Sequence, residues 1–254
     1  MASEGRRPLV AGNWKMNGLR SSIATVDAIR DGLSSQLLAD IDVLICPPAT
    51  LVSACVEAVK DSPIAIGGQN LHARANGAFT GSISAEMFAD LGADYVIVGH
   101  SERRAYHYET DDGVHAKALG ARRAGLRGII CVGETMEERQ QGRALDIVRA
   151  QLAIGIPKGA TAEDTVIAYE PVWAIGSGRT PTPKEIAEVH ASLREMLDKM
   201  AGTEGAKIRI LYGGSVKPGN ARELMAVENV DGALVGGASL VAEDFLGICR
   251  AYEK

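Results

Sequence analysis

The chain has 254 residues, 46% of them hydrophobic and 23% charged, enough to bury a large core in one domain or two. Its net charge of -5 carries no basic block, which argues against a nucleic-acid surface. No apolar run approaches the roughly 18 residues that a membrane span needs, and the N-terminus lacks the apolar stretch of a secretory signal. Four cysteines (Cys46, Cys55, Cys131, Cys249) lie far apart with no C-x-x-C pair, the pattern of reduced thiols in a cytoplasmic protein.

Apolar runs rich in strand formers occur at residues 9–12, 43–46, 64–67, 95–99, 128–132, 166–169, 208–212 and 233–235. Amphipathic or Ala/Leu-rich stretches lie between them, among them 23–38, 51–59, 114–124, 144–153, 184–200 and 221–225. The strand runs are continuously apolar, as in a parallel sheet covered on both faces. Eight such units in about 250 residues predict an α/β chain folded as one closed (β/α)8 barrel, a single domain over 1–254. The rival, an open doubly wound sheet, places a Gly-rich nucleotide turn after its first strand. Here the first strand runs into Asn13, Trp14 and Lys15.

Several motifs fail. Residues 175–180 lack the lysine of a phosphate-binding P-loop, residues 99–103 lack the second glycine of a nucleophile elbow, and no metal-ligand spacing occurs. The expected chemistry therefore comes from side chains, with no cofactor and no metal.

Barrel chemistry sits at the C-terminal strand ends. Those ends carry Asn13 and Lys15 after strand 1, His100, Ser101 and Glu102 after strand 4, and Glu170 before Pro171 after strand 6. Strands 7 and 8 run into Gly213-Gly214-Ser215 and Gly236-Gly237. Two Gly-rich turns after neighbouring strands, backed by a helix starting near Ala238, predict an anion cradle suited to phosphate. Bland readings stand beside these: a core histidine for His100, a turn residue for Glu170, a solvated charge for Lys15. Glu102 reads as a cap for backbone donors at a short helix, and Trp14 and Trp173 read as packing.

Six segments, AGNWKMN (11–17), GHSERR (99–104), CVGET (131–135), YEPVWAIGSGRT (169–180), YGGSV (212–216) and GALVGGASL (232–240), resemble the triosephosphate isomerase family, in order and over nearly the whole chain. The resemblance implies interconversion of dihydroxyacetone phosphate and glyceraldehyde 3-phosphate through an enediolate. It implies Glu170 as the base, His100 as the electrophile, and Lys15 and Asn13 as groups on the substrate oxygen. Gly176, Ser215, Gly236 and Gly237 match residues that hold phosphate, and 171–180 matches a lid. A His at a helix start is expected to have a lowered pKa. The connection from Asn70 to Ser82, long for a compact domain, resembles a loop that enters a neighbouring subunit with Thr80 near its tip, implying a homodimer. Ser82 stands where that family usually has an acid, which weakens the expected pairing of Arg103 across the interface. Isomerisation of a tetrose phosphate, or a non-catalytic sugar-phosphate-binding barrel, are the competing functions.

Overall fold

The structure, a computed structural model, describes residues 5–175 and 179–253. Eight parallel strands close on themselves in chain order: β1 (Leu9–Asn13), β2 (Asp42–Cys46), β3 (Ala65–Gly68), β4 (Tyr95–Val98), β5 (Arg127–Val132), β6 (Thr165–Tyr169), β7 (Arg209–Tyr212) and β8 (Gly232–Val235). Closure is made by β1 against β8, with Leu9 opposite Gly232 and Gly12 opposite Val235.

The continuous apolar runs have a simple cause. Alternate residues such as Leu9, Ala11, Leu44, Ile97, Ile129 and Leu211 fill the barrel interior. The intervening ones, such as Val10, Val43, Val96, Ile130 and Ile210, pack under the helices. Both faces are dry, so no strand shows polar alternation. Gly232 lets the barrel close: its φ of +137° suits glycine, and a Cβ there would stand 1.9 Å from the Leu9 carbonyl oxygen.

The helices are α1 (Ile23–Gly32), α2 (Ser35–Asp40), α3 (Val52–Ala58), α4 (Ala85–Asp90), α5 (Ser101–His107), α6 (Asp111–Arg123), α7 (Met136–Gln140), α8 (Ala144–Gly155), α9 (Pro183–Ala201), α10 (Pro218–Met225) and α11 (Ala242–Cys249). Several start where side chains satisfy the free N–H groups. Before α9, Thr182 and Glu185 cap each other's backbone and Pro183 opens the helix. The single helix expected over 23–38 is two. Ser34 accepts the Leu37 N–H at 3.1 Å and starts α2 afresh, after Leu33 turns extended. The fourth strand ends at Val98 rather than residue 99, because Gly99 adopts a φ of +69° and turns the chain into α5. The helical start expected near Ala238 is a short 3-10 turn, Gly237–Leu240, ahead of α11.

Candidate active site

The C-terminal strand ends surround a cleft of about 460 Å³ that receives Asn13, Lys15, His100, Glu170, Ser215 and the Gly236–Gly237 turn. The predicted site residues within the described chain are thus brought together; Gly176 lies outside the described residues. Among the described residues, no group of three or more His, Cys, Asp and Glu side chains is placed to hold a metal ion.

Glu170 follows β6 and is 2% exposed. Its carboxylate accepts from the Ser101 N–H at 3.0 Å and the Ser101 hydroxyl at 3.2 Å. His100 Nε2 stands 2.9 Å from its Oε1. Burial alone would raise this carboxyl, but the His100 ring and the Ser101 backbone hold it below the ordinary carboxylate value. The Cys131 thiol, pushed up by burial and by the carboxylate beside it, stays protonated.

Two glycines make room for Glu170. A Cβ on Gly133 would fall 1.8 Å from the Glu170 carbonyl oxygen, and one on Gly213 would fall 3.0 Å from the Glu170 Cγ. The chain segments after β5 and β7 therefore press on the Glu170 backbone and side chain from both sides, fixing where the carboxylate starts.

His100 precedes α5, and its Nδ1 accepts the Glu102 N–H at 3.2 Å. A nitrogen that accepts carries no proton, so in the neutral ring the proton sits on Nε2, facing the cleft. The expected lowering of the His100 pKa is not what this arrangement gives. Burial disfavours the charged ring, yet the Glu170 carboxylate against Nε2 outweighs it and raises His100 above its ordinary value.

Lys15 has a φ of +53°, a left-handed conformation that costs a non-glycine residue on the order of 1 kcal/mol or more. Its N–H donates to Asn13 Oδ1 at 3.0 Å, and its carbonyl accepts from Gln69 Nε2 at 2.8 Å. These bonds aim the side chain across the cleft. A Cβ on Gly236 would be 3.4 Å from Lys15 Cε, so the lysine stem lies against the turn after β8. Lys15 Nζ is 2.6 Å from Glu102 Oε1. The reading of Glu102 as a helix cap is therefore replaced: His100 caps α5, and Glu102 pairs with Lys15.

The turns after the neighbouring strands β7 and β8 both line the cleft. Ser215 Oγ donates to the Ala174 carbonyl at 3.2 Å, tying the β7 turn to the chain after Glu170. Ser239 folds back on Gly236, its N–H and hydroxyl donating to that carbonyl at 2.9 and 2.7 Å. The expected lid, 171–180, is described only in part. Trp173 donates its indole N–H to the fully buried Glu134 at 2.8 Å. Trp14, also buried, donates to the Ser239 carbonyl at 3.1 Å.

A larger cleft of about 700 Å³ opens on the other side of Lys15 and His100, bordered by Met16, Gln69, Tyr106 and the connection 70–82. Arg103 pairs within the chain, its Nε donating to Glu109 Oε1 at 2.5 Å.

The family model for triosephosphate isomerase matches residues 8–252. The chain belongs to the triosephosphate isomerase family. Its sequence is 58% identical to a triosephosphate isomerase of Rhizobium meliloti (strain 1021), over 98% of this chain and 97% of that one. It is 54% identical to the triosephosphate isomerase of Brucella abortus biovar 1 (strain 9-941), over 98% of each. A crystal structure of triosephosphate isomerase from Bartonella henselae is similar in fold, with a TM-score of 0.91 at 50% identity. That match covers 98% of this chain and all of the other.

The sequence placed Ser101 at the rim without a role, and the structure shows it holding Glu170; Gln69, which braces Lys15, Cys131 and Gly133 were not foreseen at the site. Ser101 and Gly133 sit inside the GHSE and CVGET segments, so their presence is visible in the sequence and their contacts are not.

Proposed function

We propose that this chain interconverts dihydroxyacetone phosphate and D-glyceraldehyde 3-phosphate, with Glu170 moving the proton between the two carbons. The observation that carries this reading is the buried Glu170 carboxylate 2.9 Å from His100 Nε2, in a cleft that ends at two Gly-rich turns. Proton abstraction next to a carbonyl needs a carboxylate over carbon and donors aimed at the oxygen that becomes charged. Glu170 supplies the first. His100 Nε2–H supplies one donor. Asn13 supplies another: its Oδ1 is occupied by the Lys15 N–H, so its Nδ2 is left to face substrate. Lys15 adds positive charge where the enediolate forms. The phosphate is gripped by N–H groups at Ser215, Gly236 and Gly237 and, in the same reading, at Gly176.

In the resting arrangement Glu170 is spent on Ser101 and His100, so catalysis begins when the carboxylate leaves them for the substrate carbon. That departure also removes the larger of the two charges that raise His100, leaving the more distant Glu102 carboxylate, which is paired with Lys15. Burial and the Glu102 N–H on Nδ1 then favour the neutral ring, whose Nε2–H can donate to the carbonyl. One movement of Glu170 thus readies both the base and the electrophile.

The same reading takes the whole chain, 1–254, as one domain, active in the cytoplasm as a homodimer. Four free, buried cysteines support the compartment, and among the described residues no helix is long and apolar enough to cross a membrane. The side cleft, with Met16 97% and Tyr106 76% exposed at its border, supports a second copy whose exposed Thr80 would enter it. A coupled assay of the purified chain on each triose phosphate tests the activity. Turnover in both directions is expected, and no interconversion of either substrate overturns the proposal.

A further inference from the structure

The connection 70–82 is built rather than slack. Its root is pinned to one face of α6. Lys117 Nζ donates to Asn70 Oδ1 at 2.7 Å, and Arg123 Nη1 donates to the Ala73 carbonyl at 3.0 Å. Between them, Gly120 brings the helix so close that a Cβ would stand 3.2 Å from the Ala73 oxygen. Positions 117, 120 and 123 share a helix face by their spacing. The two ends of the loop are also joined: the His72 N–H donates to the Ile83 carbonyl at 2.7 Å, and His72 bridges Ser84.

The outer part folds around Phe79. The His72 ring stacks on it with centroids 4.0 Å apart, and the Arg74 guanidinium lies 5.5 Å from its centroid. His72 Nδ1 accepts the Arg74 N–H at 3.2 Å, closing a turn two residues on as an Asn or Asp side chain would. Gly77, at φ +140°, passes so near the ring that a Cβ would be 2.7 Å from Phe79 Cε2.

We infer that this arm takes its docking shape within one chain, before a second copy arrives, and that His72 sets that shape through its stack on Phe79 and its bond to Arg74. The inference rests on the homodimer reading and names the residue that tunes it. An arm that is loose when free loses its freedom on association and weakens the complex; an arm already folded does not. His72, Arg74 and Phe79 hold one another within the arm, and Thr80, next to Phe79, is exposed. Ordering Phe79 therefore orders the residue that would reach the neighbour's Asn13 and His100.

Dimer dissociation is measured by sedimentation, together with specific activity on dilution, for the wild type, His72→Ala, His72→Asn and His72→Phe. His72→Asn keeps the acceptor for Arg74, and His72→Phe keeps the ring. The dissociation constant of His72→Ala is expected to rise on the order of 10²–10⁴-fold, since each of the two arms loses one stack and one hydrogen bond, about 10–100-fold apiece. The other two variants should fall between it and the wild type. Turnover per dimer should be unchanged at high protein concentration, and circular dichroism should show a folded barrel throughout. A wild-type dimer with all three variants within about twofold of its dissociation constant overturns the role of His72 and leaves the homodimer standing. A wild-type chain that is monomeric and fully active overturns both.

Discussion

Two carboxylates are buried at opposite ends of this barrel, and they are held in different ways. Asp231, at the N-terminal end beside β8, accepts from Arg6 at 2.8 Å, Arg194 at 2.8 Å and the Ile210 N–H at 3.0 Å. Arg194 also donates to the carbonyls of Gly205 and Ile208, and burial pushes its guanidinium down to about 10. Glu170, at the C-terminal end, leans on a hydroxyl, one backbone N–H and a histidine that can carry or lose charge. Asp231 has permanent cations and strand backbone as partners, so no rearrangement improves its position. Glu170 has partners it can leave, and it borders an open cleft. The same burial that makes one acid a structural pin makes the other a base whose resting bonds are given up for substrate.

The comparison is broken most strongly at Glu170. Glu170→Gln keeps the size of the side chain but removes the base and one of its two acceptor oxygens. We expect kcat to fall by about 10²–10⁴-fold, with phosphate binding and thermal stability little changed. Near-normal turnover would remove Glu170 from the chemistry. Asp231→Ala should show the reverse pattern. It strands the buried Arg194, at a cost of about 3–5 kcal/mol of unfolding free energy, while the protein that remains folded keeps its kcat. Denaturant unfolding and an assay at low temperature separate the two effects. A loss of kcat without a loss of stability would contradict the division between the ends.

A smaller effect sharpens the contrast from the barrel wall. His190 on α9 is fully buried, makes a 2.9 Å contact from Nδ1 to the Asn229 carbonyl, and is pushed by burial down to about 4 from 6.5. Its folded pKa is depressed, so between those values the unfolded chain binds a proton that the native one refuses. Stability is full above about pH 6.5 and falls towards pH 4, by on the order of 3 kcal/mol for this group. Replacing it with Asn, which keeps a donor for Asn229, should flatten that part of the stability–pH curve. Identical slopes for the two proteins in this window would show that His190 is not the sensor.

The strands were legible because a closed parallel barrel buries both faces of each one, leaving apolar runs that need no long-range information to recognise. The break in the first helix was harder to see, since Ser34 and Gly32 are ordinary residues until Ser34 Oγ turns to the Leu37 N–H. At the site, residue types were readable and pairings were not. Lys15 and Glu102 are separated by 87 positions, and only closure of the barrel sets them 2.6 Å apart. Glu102 has the place of a cap because it opens a helix, but the ring of His100 takes that bond. Gly133 shows the limit most clearly. Its need for no side chain comes from the Glu170 carbonyl just past the end of the next strand, a contact that no local pattern encodes.

Exchange of carbon-bound hydrogen with solvent tests the central claim, that Glu170 is the group moving the proton, without depending on the release of product. Dihydroxyacetone phosphate is incubated in deuterium oxide with the wild type and with Glu170→Gln, and the remaining substrate is examined by proton NMR. The wild type should place deuterium at the substrate carbon. The variant should exchange at least about a hundredfold more slowly while still binding a phosphate-bearing inhibitor. Exchange by Glu170→Gln at a rate close to the wild type's would contradict the account.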